Sequence, residues 1–130
     1  MKPLRAAVLL AVLLSGCNKE RPMLAGGKPV RHWVEALKEP DAKLRKTAVA
    51  KLGNVGPADE AVLPALLEAL ADVDAGVRRE AILALMKFGP GAREAIPRLT
   101  DLRKQDRDAQ VRNYAARALE KLERGSGSPE

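Results

Sequence analysis

The amino-acid sequence predicts an all-α fold, and two observations carry the prediction. Alanine and leucine, which are strong helix formers, supply 41 of the 130 residues. The chain also repeats its own pattern about every 33 residues, which is typical of stacked structural repeats. Charged residues make up 31% of the chain and are mixed in sign, which argues against a disordered polyelectrolyte. A chain of this length forms one ordinary domain.

The repeat is visible at about ten equivalent positions in one register. Asp41, Asp74 and Asp108 mark the start of successive units, 33 and 34 residues apart. Each aspartate is followed at fixed distances by an apolar residue, an arginine, an alanine and a leucine: Leu44, Val77 and Val111; Arg45, Arg78 and Arg112; Ala48, Ala81 and Ala115; Leu52, Leu85 and Leu119. The pairs Gly56-Pro57 and Gly89-Pro90, and then Leu63-Pro64 and Ile96-Pro97, recur at the same spacing.

Each unit has the pattern of two helices. Apolar residues at i, i+4, i+5 and i+8 form one stripe of a first (A) helix, which Gly-Pro ends. A second (B) helix carries proline in its first turn and a leucine stripe of its own. An aspartate suited to N-capping opens the next A helix. These signals predict helices over 31–39, 42–53, 59–71, 75–87, 92–104 and 109–123.

The runs Asp74 to Leu85 and Asp108 to Leu119 share the pattern Asp-x-x-Val-Arg-x-x-Ala-x-x-Ala-Leu. This pattern resembles HEAT repeats, and in particular the short HEAT-like repeats associated with phycobilisome lyases. The resemblance covers residues 30–123 and implies a short α-solenoid of about two and a half helix pairs. It implies further that the B helices line the concave, binding side of the stack. The resemblance indicates little about function, because proteins with this fold have many functions.

The N-terminus has the pattern of a signal peptide. Lys2 and Arg5 precede an apolar run over 6–14, which is too short to span a hydrocarbon core of about 30 Å. Leu14-Ser15-Gly16-Cys17 resembles a bacterial lipobox. That resemblance implies cleavage after residue 16, lipidation of Cys17 and a place in the cell envelope, lipid-anchored and facing the periplasm or the surface. A plain secretory signal is the alternative, and the leaflet and oligomeric state stay open.

Segments of a different composition flank the repeats. Residues 17–29 comprise the lipidated Cys17 and a stretch with two prolines and two glycines, which predicts a flexible tether. Fully extended, residues 18–29 span at most about 40 Å. Residues 124–130 predict a disordered tail. The last predicted helix keeps an apolar stripe inward and polar residues elsewhere, which indicates that the solenoid ends there.

Few residues are suited to catalysis or to metal binding. Between Asn18 and Gly125 there is no serine or cysteine, and His32 is the sole histidine. One histidine without cysteines does not make a usual zinc site, and Asp101, Asp106 and Asp108 lack the spacing of a calcium loop. We therefore expect no enzyme activity, no metal, no cofactor and no small-molecule substrate.

The sequence gives less support to two alternative functions. One is a lyase-like helper related to bilin lyase subunits, and the other is a nucleic-acid-binding HEAT domain. Without residues 1–16 the chain has 21 basic and 17 acidic residues, a net charge of +4, and no basic stripe. The predicted export also argues against a nucleic-acid partner.

The recurring Asp and Arg residues have a structural interpretation. Each Asp caps an A helix, and each Arg pairs with the Asp four residues earlier or with the neighbouring repeat. Trp33 aligns with Leu66 and Leu99 and is predicted to lie in the core. Residues left facing the concave side are predicted to bind a protein or peptide partner: His32, Glu35, Ala65, Glu68, Glu94, Arg98 and Asp101. The predicted function is that of a membrane-anchored interaction module.

Overall fold

The computed structural model describes residues 23–125. The predicted signal peptide, Cys17 and residues 126–130 of the predicted tail lie outside the described residues. Within them a short hairpin precedes six α-helices. The elements are β1 Leu24–Ala25, β2 Lys28–Pro29, α1 Val30–Ala36, α2 Ala42–Val55, α3 Val62–Ala69, α4 Ala75–Phe88, α5 Ile96–Gln105 and α6 Ala109–Arg124.

The six helices confirm the all-α prediction, and the A helices α2, α4 and α6 match their predicted ranges to within two residues. The B helices differ more, because 3₁₀ turns over Gly56–Ala58 and Gly89–Ala95 occupy part of the chain predicted as connection or helix. Gly56 and Gly89 have φ of 58° and 75°, a conformation that ends each A helix and that glycine adopts without strain. α1 is also shorter than predicted and ends at Ala36.

The predicted aspartate caps are confirmed at all three A helices. The Asp74 carboxylate accepts a hydrogen bond from the backbone N–H of Val77 at 3.0 Å, and Asp108 accepts one from Val111 at 2.9 Å. Asp41 accepts one from Lys43, two residues later, at 2.9 Å. These bonds satisfy N–H groups that have no partner within the helix and fix where each helix begins.

The core runs continuously between the layer of A helices and the layer of B helices. α4 packs against α2 on one side and α6 on the other, while α5 packs on α6. The largest fully buried side chains come from both layers: Leu52, Leu66, Ile82, Leu85, Leu99 and Leu122. A Cβ at Gly53 would lie 2.7 Å from the Cβ of Ala84, so the close approach of α2 and α4 requires glycine there.

The prediction of a flexible tether is wrong for its last residues, which form the hairpin of β1 and β2. Residues 23–29 form a two-residue turn at Gly26 and Gly27, whose φ angles are 57° and 78°. The Trp33 indole Nε1 donates to the carbonyl of Ala25 at 2.7 Å, and the backbone N–H of Val30 donates to the carbonyl of Met23 at 3.0 Å. These two bonds hold the segment against part of the N-terminal end of the stack. Trp33 is buried, as predicted.

α6 closes the other end of the described chain. Its apolar side chains are buried as predicted, and none of the exposed large apolar residues of the described chain lies on it. Arg124 belongs to the helix and not to the tail predicted to begin there. Over residues 23–125, no helix has both the length and the apolar character needed to cross a bilayer.

Candidate functional site

Two arginines tie successive repeats together. Arg45 of α2 forms a bidentate pair with Asp72, with Nε–Oδ2 and Nη2–Oδ1 distances of 2.9 and 3.0 Å. Arg78 of α4 pairs in the same way with Asp106, with both distances 2.9 Å. Both aspartates lie in the loops that lead into the next A helix. The sequence left two pairings open, and the structure selects the one with the neighbouring repeat.

The third nitrogen of each guanidinium also has a fixed role. Nη1 of Arg78 donates to the carbonyls of Asp72 and Val73 at 2.9 and 3.2 Å. Nη1 of Arg45 donates to the carbonyls of Glu39 and Pro40 at 2.9 and 2.8 Å. Each arginine therefore holds its own loop and the loop of the next repeat at once, which leaves neither free to bind an external anion.

Arg112 occupies the same position in α6 but has only half of these contacts. Its Nη1 donates to the carbonyls of Asp106 and Arg107 at 2.6 and 3.2 Å. No carboxylate of the described chain pairs with its guanidinium, because no described repeat follows α6. We call Arg45, Arg78 and Arg112, with Asp72 and Asp106, the ladder. Arg112 is its end without an ion pair in the described chain and serves as an internal control for Arg45 and Arg78.

A groove between α3 and α5 is a large concave feature of the described surface. We call it the α3–α5 groove. It consists of two overlapping sections of about 520 and 480 Å³. Four residues line both sections: Leu70, Ala71, Asp101 and Leu102. Leu70 and Leu102 give it an apolar floor, and Val73, which is 92% exposed, borders one section.

The structure places three of the predicted binding residues together in this groove. Glu68, Arg98 and Asp101 line the same section. Arg98 extends towards α3, where its Nη1 donates to the carbonyl of Leu67 at 2.7 Å. That bond satisfies a carbonyl near the C-terminal end of α3 and bridges the two B helices. The side chains of Glu68 and Asp101 are exposed.

The other four predicted residues do not line the groove. His32 and Glu35 are exposed on α1, and Glu94 is exposed on the 3₁₀ turn that precedes α5. Ala65 is only 5% exposed, so its prediction as a surface residue is wrong. α3 is the middle B helix, and a methyl side chain there is too short to reach past its neighbours.

Comparison with known families agrees with this architecture. A family model described as HEAT repeats matches residues 30–120. The chain belongs to the HEAT-repeat family. The crystal structure of an engineered protein is similar, with a TM-score of 0.55 and 25% sequence identity. The match covers 74% of this chain and 46% of that one, so this chain spans less than half of the engineered protein. No curated protein sequence matches the chain.

The side chains of this HEAT domain do not form a metal site. Among residues 23–125 there is no group of three or more histidine, cysteine, aspartate or glutamate side chains that could hold an ion. The carboxylates nearest the groove differ in their state, since those of Asp72 and Asp106 are bound by arginines while those of Glu68 and Asp101 face solvent.

The ladder changes the titration of its aspartates. Burial acts to raise the pKa of Asp106, but the hydrogen bonds from Arg78 and from the N–H of Asp108, with the charges of Arg78 and Arg112, outweigh it and lower the pKa. The pKa of Asp72 is lowered in the same way, with Arg45 as the main partner. The hydrogen bond to Asp72 in turn raises the pKa of Arg45.

The lowered pKa values of Asp72 and Asp106 predict that acid destabilises the stack of helices. A carboxylate with a lowered folded-state pKa adds stability that is fully present above its unfolded-state pKa of about 3.9 and is lost as the pH falls through the folded-state value. We expect the free energy of unfolding, measured with urea, to decline as the pH is lowered below about 4. The Asp72→Asn/Asp106→Asn variant, less stable at neutral pH, is expected to lose less over that range. An equal decline in both proteins would contradict the assignment.

The sequence did not identify the two aspartates that pair with Arg45 and Arg78. Asp72 and Asp106 each stand two residues before a capping aspartate, and their carboxylates accept the backbone N–H of Asp74 and Asp108 at 2.9 Å. The repeated Asp-x-Asp spacing was the available signal. The apolar floor of the groove could not be predicted, because whether Leu70 and Leu102 border a groove depends on how α3 and α5 pack.

Proposed function

We propose that the protein is a lipid-anchored, non-enzymatic scaffold of the bacterial cell envelope that presents its α3–α5 groove to a protein or peptide partner. HEAT repeats are interaction scaffolds in general, and this fold supports that role here. The single observation that carries the finer proposal is the groove itself, since it is a large concavity of the described surface and contains three residues that the sequence had singled out.

The chemistry of the groove favours a polypeptide partner. Its floor is apolar at Leu70 and Leu102, and its rim carries the carboxylate of Asp101 and the guanidinium of Arg107. An apolar side chain of a partner would be desolvated on the floor while its backbone and polar groups bonded the mixed rim. The groove is open along its length, which suits an extended or helical segment better than an enclosed small molecule.

The sequence supports the anchor independently of the groove. Cys17 is the sole cysteine, and it stands at the position that the lipobox pattern assigns to the lipidated residue. Two or three acyl chains at one cysteine hold a protein durably on a leaflet, whereas one chain holds it marginally. The anchor would restrict the groove to partners within reach of the membrane.

A photo-crosslinking experiment in intact cells tests the groove. A photoreactive amino acid is placed at Asp101, and the matched control carries it at Lys121, an exposed position on α6. We expect one envelope protein to crosslink from position 101 and not from position 121. Ala71→Arg, at an exposed position in both groove sections, is expected to block the groove and reduce the adduct at least about tenfold, a loss of about 1.4 kcal/mol in binding.

Two results would contradict the proposal. Equal crosslinking from positions 101 and 121 would show that the partner does not bind preferentially at the groove. Retention of the adduct in the folded Ala71→Arg variant would show that the partner contacts position 101 from outside the groove. Fractionation of wild type and Cys17→Ser, with a high-salt wash of the membranes that removes protein held by charge alone, tests the anchor separately: wild type is expected in the washed membrane fraction and Cys17→Ser outside it, and a wild type released by the wash would refute the anchor.

A further inference from the structure

The N-terminal end of the stack has an uncovered helix face. Leu44, Val77 and Val111 occupy equivalent positions in α2, α4 and α6, and the latter two are fully buried. Leu44 is 38% exposed, because among residues 23–125 no A helix precedes α2. Leu44, Thr47 and Lys51 follow one another at i, i+3 and i+7, so they lie along one side of α2. The hairpin covers only the far end of this side.

Apolar exposure is concentrated at this end. Four large apolar residues are exposed in the described chain, and three of them lie here: Met23 at 42%, Leu24 at 58% and Leu44 at 38%. Met23 and Leu24 line a crevice with Lys51 of α2, so the hairpin and the helix contribute to one surface. We call this surface the N-terminal face, formed by Met23, Leu24, Lys43, Leu44 and Lys51.

The same end has an excess of basic over acidic residues. Residues 23–55 contain seven basic and three acidic residues, residues 56–90 contain three and six, and residues 91–125 contain nine and six. α2 itself has no acidic residue, and of its basic side chains only Arg45 has an ion pair in the described chain. The N-terminal face thus combines exposed apolar side chains with uncompensated lysines.

The chain brings this face close to the predicted anchor. Met23 is six residues after Cys17, so a lipid on Cys17 would hold the hairpin within about 20 Å of the bilayer surface, even with the intervening chain fully extended. Attraction between lysines and anionic head groups acts over about one Debye length, roughly 8 to 10 Å. Because about 20 Å is the largest separation that the tether allows, thermal motion repeatedly brings the lysines of the face within about 8 to 10 Å of the head groups.

We propose that the N-terminal face lies on an anionic lipid surface. Its lysines contact the head groups, and Met23, Leu24 and Leu44 insert at their level, as apolar residues flanked by basic ones do at membrane interfaces. The proposal rests on the proposed function, because the anchor supplies the proximity. It deepens that function, since the α3–α5 groove belongs to the later repeats and would be directed away from the bilayer.

Vesicle binding of the mature chain without its lipid tests the proposal. The protein is residues 17–130 with Cys17→Ser, and a cooperative thermal transition checks its folding. We expect it to sediment with vesicles that contain phosphatidylglycerol and not with phosphatidylcholine vesicles, and to dissociate at high salt. Lys43→Gln/Lys51→Gln is expected to weaken binding about 25-fold, about fivefold for each lysine near the surface.

The matched control removes the same charge elsewhere. Arg103→Gln/Lys104→Gln changes two exposed basic residues of α5 and is expected to leave binding within about twofold. Equal losses in the two variants, or no binding of the parent protein, would overturn the proposal. A dimer in ultracentrifugation that Leu44→Ser dissociates would also overturn it and would make the face an interface between copies. Failure of the anchor is measured separately, by the fractionation of wild type.

Discussion

Replacing Arg78 with alanine is expected to destabilise the domain by about 3 kcal/mol, the lower part of the range for breaking a buried ion pair. The side chain of Asp106 is 5% exposed, and without Arg78 it loses its ion-pair partner and keeps only the attraction of the Arg112 charge, which forms no ion pair with it. The N–H of Asp108 still donates to that carboxylate, which places the loss at the lower end. Urea denaturation measures the change, which corresponds to a fall in Tm of about 15 °C.

Arg112→Ala is the matched control for this prediction. Arg112 donates to two backbone carbonyls, as Arg78 does, but has no carboxylate partner in the described chain. Its replacement is expected to cost about 1 kcal/mol. Arg78→Ala/Asp106→Ala is expected to be more stable than Arg78→Ala, because the buried charge is removed with its partner. Equal losses for Arg78→Ala and Arg112→Ala would show that the bond between repeats does not stabilise the stack.

Trp33→Ala is expected to have a comparable effect, a loss of about 3 to 5 kcal/mol. Trp33 is 6% exposed, packs in the core and binds the hairpin through its bond to Ala25. The substitution removes a large buried surface and releases the hairpin from α1. We expect faster hydrogen exchange at the N–H of Val30, which donates to Met23, together with the lower stability.

Trp33→Phe separates the packing from the hydrogen bond. Phenylalanine retains most of the buried surface but leaves the carbonyl of Ala25 without its donor, so we expect a loss of about 1 to 2 kcal/mol. The hairpin is expected to open in both variants and the core to be weakened strongly only in Trp33→Ala. If Trp33→Ala lost under about 1 kcal/mol, the N-terminal end would not depend on this side chain.

The sequence predicts the helical architecture because its signals are local and repeated. The capping aspartates, the Gly-Pro stops and the apolar stripes each act within one helix or turn, and their recurrence places six helices in order. The ladder was only partly predictable, since Arg45 and Asp72 are 27 residues apart and their contact depends on how repeats stack. The pattern showed that the arginines recur, but not which carboxylate each binds.

Local sequence patterns did not predict the hairpin or the groove. Strands of two residues are too short to show alternation, so the glycines at 26 and 27 indicated only a flexible segment. A tryptophan eight residues from Ala25 orders that segment through a contact that spacing did not reveal. In the same way, Glu68 and Asp101 were correctly predicted as exposed residues, while Ala65 was not, because exposure on α3 depends on the helices at its sides.

The intact mass of the mature protein shows whether this HEAT domain acts from a membrane surface. The protein is purified from cell membranes with detergent, and its N-terminal peptide is sequenced by mass spectrometry. We expect a chain that begins at Cys17 and carries a diacylglyceryl group on the Sγ atom. A mature chain that retains residues 1–16, or one with an unmodified Cys17, would contradict it.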